Sequence, residues 1–243
     1  MPGLCPASGP CTVVSDLHLF TRRSRAHAFQ DQIEEAALRS HTLVLAGDIV
    51  DFRWSELGSD EATVDAAEQW IERLLERAPE LRVHYVLGNH DDHPQLIERL
   101  RALEARHGRV RHERFELRIG NALFLHGDAG NPGMNAARLR ASRGRTHGRS
   151  PRSLRAARAY DAAVAARLHV VGARIAFPER RLLARLHRYM GELDEGLTRG
   201  VRNVYFGHTH RALTGVEFRG RRFHNCGSPI DGLEFRILEA DLS

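Results

Sequence analysis

Residues 42–51 read Thr42-Leu43-Val44-Leu45-Ala46-Gly47-Asp48-Ile49-Val50-Asp51. The apolar run predicts a strand over Thr42–Ala46. Gly47 then permits a sharp turn, so that Asp48 stands directly at the strand end. The pattern of a short strand followed by a polar motif recurs through the chain. Asp16-Leu17-His18 follows a strand predicted over Thr12–Ser15, and Gly88-Asn89-His90-Asp91 follows one over Arg82–Leu87. His126-Gly127-Asp128 closes an apolar run, and Gly207-His208-Thr209-His210 follows a strand over Val201–Phe206. In α/β sheets the strand ends gather on one edge, where ligands usually sit.

Helical patterns separate the early strands. They are expected over Ser24–Arg39, over Ala62–Arg77 and from Pro94 onward. In the second, Ala67, Trp70, Ile71, Leu74 and Leu75 recur at helical spacing and form one buried face. Pro94 suits a first helical position ahead of Leu96, Leu100 and Leu103. Later segments read as hairpins. Residues 115–126 flank the Gly120-Asn121 turn, and Leu213–Phe218 pairs with Arg222–Cys226 around Gly220. A last strand is expected over Leu233–Glu239, and residues 1–10 read as a loose Pro/Gly-rich tail. Alternation first and hairpins later predict a mixed α/β sandwich rather than a purely parallel sheet.

Residues 131–195 break this rhythm. They open with a polar loop and continue as two helical patterns, one through Leu154, Ala157, Val164, Leu168 and Val171, the other through Leu182, Leu183, Leu186 and Met190. The segment reads as a helical cap inserted into a core of residues 11–130 and 196–243. It is strongly basic: residues 131–190 carry fourteen arginines against Asp161 and Glu179 alone, within a chain of net charge +5. The remainder is therefore net acidic. A basic segment joined to an acidic body suggests one part that receives an anionic ligand. Arg152 and Arg155, and Arg181 and Arg185, recur on helical faces as candidate anion-binding residues. All 36 basic side chains are Arg, whose planar fork of donors suits phosphate.

The 243-residue chain, 42% apolar, is long enough for a sizeable core, which excludes wholesale disorder. Three cysteines without a CxxC pair argue against a disulfide framework or a zinc ribbon. Neither a secretory signal pattern nor a membrane-length apolar run is seen, so a cytoplasmic protein is expected, peripheral at most to the inner face of a membrane.

Singly the five motifs are weak; their shared placement at strand ends gives them weight. Together they supply carboxylate, amide and imidazole donors, a set that suits manganese, iron, cobalt, nickel or zinc. An Asp carboxylate can bridge two ions. Two ions ~3.5–4 Å apart can activate water and clamp a phosphate for in-line displacement.

With these motifs the chain resembles the calcineurin-like metallophosphoesterases. The resemblance spans residues 11–240 apart from the 131–195 insertion. It implies a four-layer α/β/β/α sandwich with a dinuclear centre at the strand ends. It also implies that Asp16, His18, Asp48 and His210 hold one ion, and Asp48, Asn89, His126 and His208 the other, with Asp48 bridging. His90 would lie outside the metal shell and serve the leaving oxygen, with Asp91 orienting it. A narrower resemblance is to the UDP-2,3-diacylglucosamine pyrophosphatases of lipid A synthesis. It rests on SDLHL, GDIVDFRW, GHTHR, NCGS and the cap between the last two ligand motifs. The chain differs from those enzymes at His90, where they often carry Arg, and at AGNPGMN after the His-Gly-Asp motif.

The favoured function is hydrolysis of a phosphoester or phosphoanhydride, leaning to a lipid-linked nucleotide diphosphate. A nuclease or cyclic-nucleotide phosphodiesterase would use the same metals and the same basic segment. Few aromatics are interleaved with those arginines, which disfavours single-strand stacking. A non-catalytic scaffold on this fold would be free to lose ligands, and this chain retains every one.

Overall fold

The computed structural model of the chain describes residues 4–5, 9–143 and 177–243. Among these residues, eleven strands form two sheets. The first has the order β11-β2-β3-β4-β5, with β2 (Cys11–Val14), β3 (Thr42–Ala46), β4 (Arg82–Val86) and β5 (Val110–Glu113) parallel and β11 (Leu238–Ala240) antiparallel at its edge. The second has the order β1-β6-β7-β8-β10-β9. Its strands are β1 (Leu4–Cys5), β6 (Glu116–Ile119), β7 (Ala122–Leu125), β8 (Asn203–Phe206), β9 (Leu213–Phe218) and β10 (Arg221–Asn225). β6 with β7 and β9 with β10 are the two expected antiparallel hairpins, while β7, β8 and β10 run parallel.

Alternation along the central strands sorts side chains between two interfaces, as the two-residue period of a strand requires. Val13, Val44, Ala46 and Val86 meet Leu117, Ile119, Phe124 and Tyr205 between the sheets. Leu43, Leu45, Val83 and Tyr85 point the other way, onto helices α1 (Gln30–Leu38), α2 (Asp60–Arg77) and α3 (Pro94–His107). On α2 the five residues expected to be buried are buried. Its N-terminus is capped by Ser59, whose side chain accepts from Ala62 N. On the outer face of the second sheet, Leu123, Leu125, Val204, Phe206 and Phe223 pack against Leu139 of α4 (Ala136–Arg143) and Leu182, Leu183, Leu186 and Met190 of α5 (Glu179–Met190). The result is four layers, helix–sheet–sheet–helix, which is the sandwich expected.

Several details depart from expectation. The N-terminal tail contributes an edge strand, Leu4–Cys5, parallel to β6. The first helix begins at Gln30, after a 3-10 turn over Ala26–Phe29. Ser24 and Arg25 are held outside it by a bridge to Ile230 and by Arg25 N donating to Pro229 O. Most of Leu233–Glu239 is not ladder: Arg236 N donates to Cys226 O, and Glu234 O accepts from Ser228 N, so these groups brace the loop after β10 instead. β5 was not anticipated. The apolar stripe of Leu182, Leu183, Leu186 and Met190, read as part of a cap, faces the core as the outer helix layer of the second sheet. The other expected cap helix, through Leu154 and Val171, lies outside the described residues.

Candidate active site

The parallel strands bring their carboxyl ends to one edge, and short backbone bonds extend the pairing past the last ladder residue. Asp16 N donates to Gly47 O, His18 N to Asp48 O and Gly207 N to His126 O. The first two lock the Asp16 loop to the Asp48 loop within one sheet, and the third joins the His126 and His208 loops in the other. The sheets are linked at this edge by His208 N, which donates to Asp16 Oδ1 at 2.8 Å. Asp16, His18, Asp48, His208 and His210 all have positive φ, between 45° and 68°. Non-glycine residues rarely adopt this region, and clusters of such strain mark sites where side-chain direction is held by the surroundings. Gly88 and Gly207 are required by close approach: a Cβ would stand 2.1 Å from Asp48 Oδ1 at the first and 2.2 Å from Asp16 Oδ2 at the second.

The seven expected ligands converge. His18 Nε2 and His210 Nε2 face each other at 3.0 Å, and His210 Nε2 lies 3.4 Å from Asp16 Oδ1. His126 Nε2 lies 3.1 Å from Asp48 Oδ2 and 3.2 Å from Asn89 Oδ1. Asp16, His18 and His210 thus form one donor group and Asp48, His126 and His208 another, each with its donor atoms within 4.8 Å of one another. Asp16 is fully buried, and its Oδ2 has no hydrogen-bond partner in the structure. An orphaned carboxylate oxygen beside facing imidazole nitrogens is costly without a cation, so this donor set fits divalent metal. These two ligand groups are candidates to hold a pair of divalent ions.

The electrostatics agree. Burial raises the Asp16 carboxyl to about 6. Burial also opposes the charge of Asp48, but His126 and His90 outweigh it and hold that carboxyl well below the usual range. Conversely, burial disfavours the imidazolium of His126, yet Asp48 lifts it to about 9. His208 and His210 are pushed down by burial, His208 to about 4. The acidic pocket therefore draws positive charge, and two of its imidazoles remain neutral donors.

His90 stands at the rim, its side chain 28% exposed, with Nδ1 3.0 Å from Asp51 Oδ2. Burial lowers its imidazolium, but Asp48 and Asp51 prevail and hold it at about 10. The expected orienting residue, Asp91, does something else. Its carboxylate accepts from Ile49 N at 2.8 Å, Tyr85 Oη at 2.7 Å and Gly88 N at 2.5 Å. Asp91 thus pins the loops after β3 and β4 beneath the site, while Asp51 faces both His90 and, at 3.3 Å, His18 Nδ1. The signal for Asp51 was present in Gly-Asp-x-x-Asp, but contact with His90 required the fold. Asn131 has no comparable local signal: its Oδ1 lies 3.0 Å from His208 Nε2.

The NCGS stretch also gains a physical role. Asn225 donates to Gly207 O and to Thr209 Oγ1, and Ser228 Oγ donates to Asp16 O. It ties the first ligand motif to the last. Of the candidate anion-binding arginines, Arg181 is exposed and Arg185 is half-buried, donating to Gly130 O at 3.2 Å. Arg152 and Arg155 lie outside the described residues.

Helix-flanked twin sheets with carboxylates, an amide and imidazoles gathered at their strand ends are the marks of a metal-dependent phosphoester hydrolase. The sequence matches the calcineurin-like phosphoesterase family over residues 9–212, and the chain belongs to that family. Among solved structures, a dimetal phosphatase from Danio rerio is 12% identical, with 96% of this chain and 99% of that one covered at a TM-score of 0.44. No curated protein matches the chain.

Proposed function

We propose that this phosphoester hydrolase cleaves a phosphoanhydride, its substrate a lipid-linked nucleotide diphosphate of the UDP-2,3-diacylglucosamine kind. The observation that carries the hydrolytic reading is the convergence of Asp16, His18, Asp48, Asn89, His126, His208 and His210 on one edge around a partnerless buried carboxylate oxygen. Asp16, His18, Asp48 and His210 would hold one divalent ion, and Asp48, Asn89, His126 and His208 a second. Manganese is the first choice for this mixed oxygen and nitrogen set. Bound there, the ions supply activation of water and neutralisation of phosphate charge.

The protein's own groups do the rest. Asp48 accepts from His90 N at 2.8 Å through Oδ1, which holds the His90 backbone against the ligand cluster. Asp51 accepts a hydrogen bond from His90 Nδ1–H and so directs Nε2 toward the leaving oxygen, where it donates a proton or a hydrogen bond. Asn131 at His208 and Asp51 at His18 fix ring orientation.

The diphosphate-lipid reading rests on the motifs SDLHL, GDIVDFRW, GHTHR and NCGS and on the arginine-rich 131–195 segment. On this reading that segment selects the substrate, and the protein works in the cytoplasm against the inner face of a membrane. Among the described residues no helix is long and apolar enough to cross a membrane. Metal-free protein reconstituted with manganese should be assayed on a phosphomonoester, on bis-(p-nitrophenyl) phosphate, on single-stranded DNA and on UDP-2,3-diacylglucosamine. The lipid-linked diphosphate should give the highest kcat/KM. Preference for either diester would replace this reading with the phosphodiesterase or nuclease one, and full activity after chelation would overturn the metal mechanism.

A further inference from the structure

The most deeply buried arginine in the described residues lies beneath the site rather than in it. Arg143, the last residue of α4, is 1% exposed. Its guanidinium makes a two-point contact with Asp128, Nε to Oδ2 at 2.9 Å and Nη2 to Oδ1 at 2.8 Å. Nη1 donates to Leu87 O and, at 2.7 Å, to Arg114 O. The Phe115 ring packs against the same group, its centroid 5.4 Å from Cζ. These partners come from separate segments. Asp128 lies two residues beyond His126, and Leu87 two residues before Asn89. Arg114 follows β5.

We infer that Arg143 is a positioning residue, a clamp that holds the Asn89 loop of one sheet in register with the His126 loop of the other. Asp48 also meets both loops, accepting from His90 N and facing His126 Nε2, but it does so inside the site as a proposed ligand, whereas Arg143 joins them from beneath. Leu87 follows β4 and Asp128 follows β7, so their separation depends on how the two sheets pack. The two side chains that must meet, Asn89 and His126, stand 3.2 Å apart. A planar guanidinium with five donors can satisfy a bidentate carboxylate and two carbonyls at once; an ammonium cannot match that geometry. Burial of such a charge is retained here where it joins loops that the backbone ladders leave unjoined.

The inference rests on Asn89 and His126 acting as ligands, so the test includes Asn89→Ala. Full-length metal-free protein is titrated with manganese by calorimetry, and kcat and KM are measured on p-nitrophenyl phosphate. Arg143→Lys keeps the charge and loses the fork. Arg143→Met combined with Asp128→Leu removes both charges and leaves neither unpaired, so the fold is retained. Residues that orient ligands contribute about 10–100-fold to metal affinity or activity. Both variants should therefore bind manganese about 10–100-fold more weakly and lose kcat with KM unchanged. Wild-type affinity and kcat in both, with Asn89→Ala impaired, would overturn the clamp and leave the ligand reading standing. Wild-type affinity in Asn89→Ala would remove the ligand reading and the clamp with it. A change confined to the melting temperature of the metal-free protein would reduce Arg143 to a structural ion pair and also overturn the inference.

Discussion

Asp48 is the residue on which the site's contacts converge. One oxygen accepts from His90 N, the other faces His126 Nε2, and its backbone sits at a φ of 52°. As the proposed bridge it would leave both cations short of a ligand if removed. Asp48→Ala should therefore show the lowest metal content and the lowest kcat of any single ligand substitution, read by elemental analysis and by turnover. A variant with its ions and near-normal rate would take Asp48 out of the bridging role. His90 makes a different prediction, because its contact is to Asp51. His90→Ala should lower kcat by ~10²–10⁴-fold while metal content stays at the wild-type level. The deficit should narrow on substrates with good leaving groups. Loss of ions on elemental analysis would instead make His90 a ligand.

The element that best shows the gap between pattern and packing is α5. Its apolar residues recur at helical spacing, and such a stripe suits either a lipid chain or a core. In the fold, Leu182, Leu183, Leu186 and Met190 lie on Leu123, Leu125, Val204 and Phe206. Tyr189, beside them, reaches the buried Glu116 on β6 with its hydroxyl. The stripe is thus shared with the strands that carry His126 and His208. Leu186→Ala should destabilise the protein by ~2–5 kcal/mol, the usual cost of such a core truncation. Urea unfolding with an unchanged slope would read this as a shifted midpoint. A midpoint equal to wild type would place α5 outside the cooperative core. Any excision that tests the basic segment must spare 136–143 and 177–190, since Leu139 and the α5 leucines would otherwise leave the second sheet uncovered.

At the scale of the whole molecule, the two-sheet design buries polar groups as well as apolar ones, and this sets an acid limit on stability. His84 on β4 is 5% exposed. Burial, aided by Arg111 and Arg82, lowers its imidazolium from 6.5 to about 4. Between those values the unfolded chain binds the proton and the folded chain does not, so stability rises with pH across that window and is unaffected above it. The loss on acidification approaches ~1.4 kcal/mol per pH unit within the window. His84→Gln should therefore flatten the fall in urea midpoint between pH 6.5 and 4.5 relative to wild type. Parallel curves for the two proteins would clear His84 of the acid sensitivity.

The local pattern was enough for the strand ends and the chemistry placed on them. Thr42–Ala46 before Gly47-Asp48, and Val201–Phe206 before Gly207-His208, carry their information in consecutive residues, because a strand's period and a glycine turn are local properties. So were the helical face of α2 and the turn at Gly120-Asn121. Tertiary structure alone decided which polar residue meets which. Asp51 rather than Asp91 faces His90, because the Asp91 carboxylate is taken up by hydrogen bonds from Tyr85, Ile49 and Gly88. The same holds for Asn131 at His208 and for Arg143 between Leu87 and Asp128. It holds too for Leu4–Cys5 and Val110–Glu113, where runs too short to announce themselves become strands against neighbours already in place. Each of these contacts joins segments apart in sequence, and its partner is in place only once those segments have come together in the fold.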